Sequence, residues 1–386
     1  MTPMLVEPDV SFVEDVIASG GGDVKKCFQC GTCSVVCTLS PERTTFPRRQ
    51  MLQAQWGLKA PLLAEPRIWL CHNCGECTDR CPRGARPGDV FGALRSIAIR
   101  HYAFPRMLGE MTASPGALPF LLLVPVLILG LIAALAGQTA VAPFEFAMVF
   151  PQSTLEVLFF TVSGLALLAF AVGLVRFVRA VSPSGAGGAV AAGAAAAAVA
   201  IATHARFRSC DRGSRRYWGH LLTFWGFLGL AAMGTAVGIG SMLGLMHTPL
   251  PITSGWKIFA NACAAAALAG IVLLLVERTA DPDRRARSTY FDWLFVLTLA
   301  GVLLTGALSE ILRLGQVSGP MYGVYFVHLV LVFSLILYAP YSKFAHLAYR
   351  AVAMAIAGRS AAARERLDDV SRRTAVAGGF RASAAR

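Results

Sequence analysis

Six long apolar stretches limit what this chain can fold into. They occupy residues 118–136, 154–178, 217–245, 256–276, 291–312 and 322–345. A helix needs about 20 mostly apolar residues to cross the hydrocarbon core of a bilayer, so each stretch could span a membrane. Residues 1–116 contain no such stretch, although 55% of the 386 residues are hydrophobic. The sequence therefore predicts a soluble N-terminal segment followed by six transmembrane helices.

Positive charges are concentrated in alternate connections between these stretches. The connections after the second and fourth stretches are rich in arginine, and so is the tail that follows Lys343. Because arginine and lysine are retained on the cytoplasmic side of membrane proteins, we predict a multi-pass protein of the cytoplasmic (inner) membrane with both termini in the cytoplasm. The acidic first residues lack the apolar core of a signal peptide, in agreement with this orientation. The pattern also explains the net charge of +13 without nucleic-acid binding.

The chain divides into three predicted segments. Residues 1–110 form a cytoplasmic domain and residues 111–355 a membrane domain, while the Arg/Ala-rich tail 356–386 is expected to be disordered or loosely helical. Residues 180–215 connect the second and third membrane stretches. Their alanine- and glycine-rich part, 185–202, gains little free energy from leaving water. We interpret it as a cytoplasmic linker or surface helix and not as a seventh span.

Eight of the ten cysteines form two runs with the spacing C-x2-C-x2-C-x3-C. This spacing is typical of paired bacterial-type 4Fe-4S clusters, in which the fourth cysteine of a run binds the other cluster. The predicted ligands are Cys27, Cys30, Cys33 and Cys81 for one cluster, and Cys37, Cys71, Cys74 and Cys77 for the other. Structural zinc is the alternative, but two C-x2-C pairs would suffice for each zinc ion and would leave the third cysteine of each run unexplained. Met51, Leu52 and Trp56 lie between the runs at helical spacing, so the clusters are expected among helices.

Three histidines lie in the membrane stretches or at their ends, where metal-binding groups are usually functional. His220 is early in the third stretch, and His328 and His346 are near opposite ends of the sixth. Since the third and sixth helices run in opposite directions, we predict that His220 and His346 are the axial ligands of one haem b. On an unbroken helix, His328 and His346 are separated by whole turns and share one face. His328 is therefore predicted to ligate a second haem, so the chain would carry one or two.

The remaining polar residues of the membrane segment give weaker predictions. His204 is expected on the wrong side of the membrane for His328, and His247 would face away from His220 on an unbroken helix, so His328 has no clear partner. Most charges at span ends simply reach the interface. Quinone chemistry needs a proton acceptor close to a haem, and Glu310 and Lys257 are the candidates for this role.

Several segments resemble known proteins. CFQCGTCSVVC and CHNCGECTDRCPRGARPGDVFGALR are similar to the helical ferredoxin that forms the C subunit of heterodisulfide reductase. YFVHLVLVFSLILYAPYSKFAHL is similar to the last haem-bearing helix of the nitrate reductase gamma subunit. The fusion resembles, over residues 20–355, the family of membrane C subunits of quinone-interacting membrane-bound oxidoreductase (Qmo) complexes. The nitrate reductase protein has two histidines on its other haem helix; here His220 matches the first, and Leu230 stands at the second.

The resemblance implies an all-α fold, in which a helical ferredoxin-like domain with two 4Fe-4S clusters precedes a six-helix transmembrane cytochrome b bundle. It implies an oxidoreductase subunit that exchanges electrons between menaquinone and cytoplasmic flavin and iron-sulfur subunits of the heterodisulfide reductase A type (Qmo A and B). Those subunits would serve adenylylsulfate reductase in dissimilatory sulfur metabolism. One alternative is the membrane module of a heterodisulfide-reductase-like or sulfite-reductase-linked complex. Another, from a different class, is a membrane transporter or receptor with a zinc-binding domain.

Overall fold

The computed structural model describes residues 7–40, 45–136, 143–181, 186–204, 214–280 and 282–357. The regular structure of these residues is helical, and no β-strand occurs among them. The all-α fold expected from the sequence is therefore confirmed.

Short helices around one longer helix make up the N-terminal region, which we call the iron-sulfur domain. They are α1 Val10–Val16, α2 Thr32–Val36, α3 Arg48–Gln55, α4 Lys59–Leu63, α5 Arg67–Leu70, α6 Glu76–Asp79, α7 Pro87–Tyr102 and α8 Arg106–Ala113. The central helix α7 begins with a proline, which suits the first turn because no hydrogen-bonded N–H is lost there. Val90, Phe91, Leu94 and Ile97 recur at helical spacing on its buried face. Around this face the shorter helices pack into one core.

Six helices are long and apolar enough to cross a membrane. They are α9 Leu118–Ala136, α10 Gln152–Val181, α12 Ser214–Met242, α13 Gly255–Thr279, α15 Tyr290–Leu314 and α16 Ser318–Tyr338. Each overlaps one predicted apolar stretch, so the prediction of six spans is confirmed among the described residues. The other helices of this half are α11 Ala186–Ala202 and α14 Pro282–Arg287, together with α17 at residues 346–357.

The expectation of one unbroken helix from His328 to His346 is wrong. Helix α16 ends at Tyr338, and two 3₁₀ turns, Ala339–Tyr341 and Lys343–Ala345, precede α17. Pro340 explains the break, because proline has no N–H for the helical hydrogen bond and its ring clashes with the preceding turn. His328 and His346 therefore do not lie on one face of a continuous helix.

Helices α12 and α13 approach each other closely through glycines. A Cβ atom on Gly226 would lie 2.5 Å from the carbonyl oxygen of Cys263, and one on Gly270 would lie 2.5 Å from the backbone nitrogen of Thr223. Small residues allow such contact between the backbones of membrane helices. The result is a closely packed helix pair that carries His220 near one end.

The iron-sulfur domain and the membrane helices share one buried core. Trp69 stacks on Tyr349 of α17 with ring centroids 5.0 Å apart, and Tyr102 meets the edge of Phe177 of α10 at 5.4 Å. Helix α11 also packs here, because a Cβ on its Gly193 would lie 1.9 Å from the carbonyl oxygen of Ala355. The stretch expected as a linker or surface helix is a helix that packs one face against this core, and most of its other described residues are exposed. The tail from residue 358 onward lies outside the described residues.

The arginine-rich connections lie on the side of the bundle that holds the iron-sulfur domain. Arg176 near the end of α10 donates to the carbonyl oxygen of Ala103 at 2.8 Å, and Arg287 of α14 lies 3.8 Å from the carboxylate of Asp89. The alternation read from the sequence therefore agrees with the arrangement of the helices. That this side faces the cytoplasm stays a prediction.

Candidate metal centres

The two cysteine runs have the same backbone conformation. Gln29 and Asn73 occupy the same place in the two runs, and both have positive φ, at 60° and 51°. Two positions later, Gly31 and Gly75 have φ of 88° and 91°, and a short helix follows each of them. Glycine suits these positions because it has no Cβ atom to clash in the left-handed region. The sequence repeat is therefore also a structural repeat.

The first group of thiols lines one cavity. Its walls include Cys27, Cys30, Cys33 and Cys81, with Arg48 and Arg83 among the other lining residues. Burial raises the pKa of Cys33, and three neighbouring thiols add to the effect. Those neighbours are Cys27, Cys30 and Cys81. The fold thus brings together the four cysteines that the spacing assigns to one cluster.

The second group surrounds the buried Cys77. Burial raises the pKa of this thiol, and the nearby thiols of Cys71, Cys37 and Cys74 raise it further. Burial likewise raises the pKa of Cys37 to about 11, with Cys71 and Cys74 again among the contributors. Only the thiolate binds metal, so metal binding here must displace protons that burial otherwise retains. Cys37 therefore lies among the cysteines of the other run, as a crossed arrangement requires.

The surroundings of the sulfur atoms suit iron-sulfur clusters. The backbone N–H of Ala85 donates to Cys81 Sγ at 3.3 Å, and that of Asn73 donates to Cys71 Sγ at 3.4 Å. Hydrogen bonds to sulfur are one of the means by which proteins set cluster potentials. Among the described residues, no three His, Cys, Asp or Glu side chains surround a point where a single ion would sit. A four-iron cluster is larger, and its four cysteines line a cavity instead of meeting at one point.

His220 and His346 face each other at the end of the bundle next to the iron-sulfur domain. Their ring centroids are 6.4 Å apart and the ring planes lie at 86°. Nδ1 of His346 is hydrogen-bonded to the carbonyl oxygen of Lys343, which leaves Nε2 as the nitrogen for a metal. Burial lowers the pKa of His346 to about 4. Its imidazole is therefore neutral at pH 7, which is the form that binds metals.

His204 is a part of this site that the sequence interpretation missed. It is buried just after α11, and its Nε2 lies 2.8 Å from Nδ1 of His220. The sequence placed His204 on the same side of the membrane as His220, but nothing in the spacing indicated that α11 returns the chain to the start of α12. The hydrogen bond with His204 occupies Nδ1 of His220, and a histidine held in this way through one ring nitrogen is oriented for metal ligation through the other.

His328 lies apart from this group. Its Nδ1 is 3.1 Å from Oγ1 of Thr305 on α15, and the ring approaches Gly306 so closely that a Cβ there would lie 2.9 Å from its Cε1. The described contacts do not bring it to another histidine, and His247, the other candidate, is exposed. The structure therefore gives His328 a threonine partner on α15.

The two charged candidates of the membrane segment form an ion pair. Nζ of Lys257 on α13 is 2.9 Å from Oε2 of Glu310 on α15, and Asn261 donates to the other carboxylate oxygen at 3.1 Å. Both charged side chains are about four-fifths buried. Side chains from two helices thus hold a carboxylate inside the bundle.

Comparison with known proteins identifies the first of these regions. Residues 23–85 match the family model of the 4Fe-4S dicluster domain. The N-terminal region is such a domain. The C subunit of the H2:CoB-CoM heterodisulfide,ferredoxin reductase of Methanothermobacter thermautotrophicus is 39% identical over 93 residues, which are 24% of this chain and 50% of that protein. The iron-sulfur C subunit of the CoB-CoM heterodisulfide reductase of Methanopyrus kandleri is 36% identical over 97 residues, 25% of this chain and 47% of the relative.

The chain thus spans about half the length of these curated relatives, and the expected resemblance to the heterodisulfide reductase C subunit is confirmed for the dicluster domain. An electron-transfer role for this region follows. Citrate utilization protein B of Escherichia coli is 29% identical over 352 residues, covering 85% of this chain and 88% of that protein. The similarity therefore includes the membrane helices as well as the dicluster domain. No solved structure matches the chain significantly.

Proposed function

We propose that this chain is the membrane subunit of a quinone-linked oxidoreductase. It would pass electrons between menaquinone in the bilayer and soluble flavin and iron-sulfur subunits, by way of haem b and two 4Fe-4S clusters. The observation that carries the proposal is the His220–His346 pair, which lies at the end of the bundle nearest the iron-sulfur domain. When bound, the haem and the clusters supply one-electron transfer, which amino-acid side chains cannot provide.

The two imidazoles are suitably placed for one haem iron. A first-row metal binds imidazole nitrogen at about 2 Å, so two ligands on opposite sides of one ion have ring centres roughly 6 Å apart. The observed 6.4 Å fits this geometry. If Nδ1 of His220 donates to His204 and Nδ1 of His346 donates to Lys343, both Nε2 atoms keep their lone pairs for the metal. His204 and Lys343 would then fix the ring orientations.

The Glu310–Lys257–Asn261 cluster suits the quinone chemistry. Oxidation of a quinol to a quinone releases two electrons and two protons, so the site needs a proton acceptor. Lys257 and Asn261 hold the carboxylate of Glu310 in place, and the carboxylate oxygens can accept a proton there. His328, one helix away, stays the candidate ligand of a second haem.

Two physiological roles are compatible with an iron-sulfur domain that exchanges electrons with soluble partner proteins. Resemblance to the Qmo membrane protein suggests heterodisulfide reductase A-like subunits and a link to adenylylsulfate reductase. The near full-length similarity to citrate utilization protein B favours a second candidate, in which the chain serves citrate utilisation. Deletion of the gene distinguishes them, because loss of growth on citrate supports the second, and loss of sulfur-compound respiration supports the first.

The proposal is tested by spectroscopy of the purified full chain, made in a host that supplies haem and iron-sulfur clusters. We expect a b-type band in the reduced-minus-oxidised spectrum and roughly eight iron atoms in clusters per chain. Replacing His220 with Ala should remove haem and leave the iron-sulfur signal, whereas the control His247→Ala should retain both. A protein with zinc and no iron, or full haem retention in His220→Ala, would contradict the assignment.

A further inference from the structure

The backbone of the second cysteine loop is held by two arginines that come from the membrane half of the chain. Arg216 of α12 donates to the carbonyl oxygens of Asn73 at 2.8 Å and His72 at 2.7 Å. Arg350 of α17 donates to the carbonyl oxygens of Trp69 at 3.0 Å and Cys71 at 3.2 Å. The loop that begins with Cys71 is therefore attached to two different helices of the membrane half.

The same two helices carry the histidine pair. Arg216 precedes His220 by four residues on α12, and Arg350 follows His346 by four residues on α17. Residues four apart lie on the same face of a helix, one turn from each other. Each helix thus presents an imidazole to the other histidine and, one turn away, a guanidinium group to the cysteine loop. Two short segments of regular helix connect the two candidate redox centres.

Arginine suits this position for a physical reason. The planar guanidinium group has several N–H donors in a fixed fork, and here the fork reaches carbonyl groups of adjacent residues. Nη2 of Arg350 also lies 2.8 Å from Nδ1 of His72, a residue between Cys71 and Cys74 in the sequence. Arg95 of α7 donates to the carbonyl oxygen of Cys71 at 3.0 Å. That carbonyl therefore receives two positively charged donors, and positive charge near a cluster favours its reduced, more negative form.

We propose that Arg216 and Arg350 are positioning residues, which fix the Cys71–Cys74 loop against the His220–His346 pair and raise the reduction potential of the cluster that this loop binds. This inference rests on the proposed function, because it requires clusters and haem in the same chain. It goes further by assigning two arginines outside both ligand sets to the connection between them.

The test uses the purified full chain in nanodiscs, with redox titration of the clusters by EPR and of the haem by absorbance. The variants are Arg350→Gln, Arg216→Gln and Arg350→Lys. Arg106→Gln is the matched control, since Arg106 is exposed on the same side and pairs with Glu110. We expect each Gln variant to make reduction of the cluster bound by the Cys71–Cys74 loop about tenfold less favourable. This lowers its reduction potential by about 59 mV, since the couple transfers one electron. The other cluster and the control should not change.

Arg350→Lys separates charge from position. Lysine keeps the positive charge but not the fork. In Arg350→Lys we therefore expect the reduction potential of this cluster to lie closer to that of the unmodified protein than to that of Arg350→Gln. The rate of electron exchange between haem and cluster should stay below that of the unmodified protein. If all variants keep both cluster potentials and the exchange rate within the range of the Arg106 control, the inference is wrong. Absence of haem or clusters from the unmodified chain would instead overturn the proposed function and, with it, this inference. If Arg350→Gln fails to assemble, Arg216→Gln and Arg350→Lys decide the matter.

Discussion

Replacing Gly31 with alanine should weaken one iron-sulfur cluster through backbone conformation alone. The φ of Gly31 is 88°, and a Cβ atom there would have as its nearest neighbour Nη1 of Arg48 at 3.8 Å. This is an ordinary van der Waals distance, so steric clash with neighbouring atoms adds nothing to the free-energy cost of the substitution. The left-handed conformation itself costs about 1–2 kcal/mol in a residue with a side chain. That corresponds to a factor of about 5–30 in the equilibrium between the competent loop and other conformations.

The assay is the retention of cluster iron by the purified chain during incubation with a chelator, followed by EPR. Gly31→Ala should lose the signal of the cluster in the first cavity faster, and Gly75→Ala, where φ is 91°, should affect the other cluster. Gly92→Ala is the control, because Gly92 lies within α7 and a Cβ there meets nothing within 4 Å. Equal iron loss from Gly31→Ala and Gly92→Ala would refute the reasoning, since it would mean that the loop does not require positive φ.

Three further predictions concern the membrane half. His204→Ala should weaken haem binding about 10- to 100-fold, as loss of a hydrogen-bond partner of a metal ligand usually does; unchanged affinity in a haem titration would contradict its orienting role. Glu310→Gln should slow oxidation of a menaquinol analogue while cluster and haem spectra are unchanged. The control Glu145→Gln should keep the full rate, because the described hydrogen bond of Glu145 is made by its backbone carbonyl oxygen, which a side-chain substitution leaves in place. Gly226→Leu should separate α12 from α13, because its Cβ would lie 2.5 Å from a carbonyl oxygen of α13. Its thermal unfolding temperature should fall well below that of Gly234→Leu, where a Cβ meets nothing within 4 Å.

The sequence predicts the features that depend on local pattern. Six spans follow from the length of apolar stretches, because a bilayer accepts only helices whose backbone hydrogen bonds are satisfied internally. The grouping of the thiols follows from cysteine spacing, which limits what a short loop can reach. Each span is contained within about 25 consecutive residues, and the cysteine spacing is read from two runs between residues 27 and 81; neither requires knowledge of the tertiary fold.

The parts that escaped prediction depend on how distant segments return to one place. Pro340 interrupts the sixth helix, so the periodicity that related His328 to His346 ended between them. His204 meets His220 because α11 packs against residue 355 and directs the chain back toward α12. Helix α11 consists almost entirely of alanine and glycine, which give no amphipathic signal from which a packing face could be read.

The shared core explains why the two candidate centres can keep a fixed position relative to each other. Trp69 lies two residues before Cys71, the first cysteine of the second run, and its ring is buried against Tyr349, three residues after His346. A fully buried aromatic side chain of this size contributes several kcal/mol to stability, since truncation of such residues costs about 3–5 kcal/mol. The contact therefore resists separation of the cysteine loop from the helix that carries the histidine. If both centres bind their proposed cofactors, the residues that stabilise the fold would also keep the two centres at a constant separation.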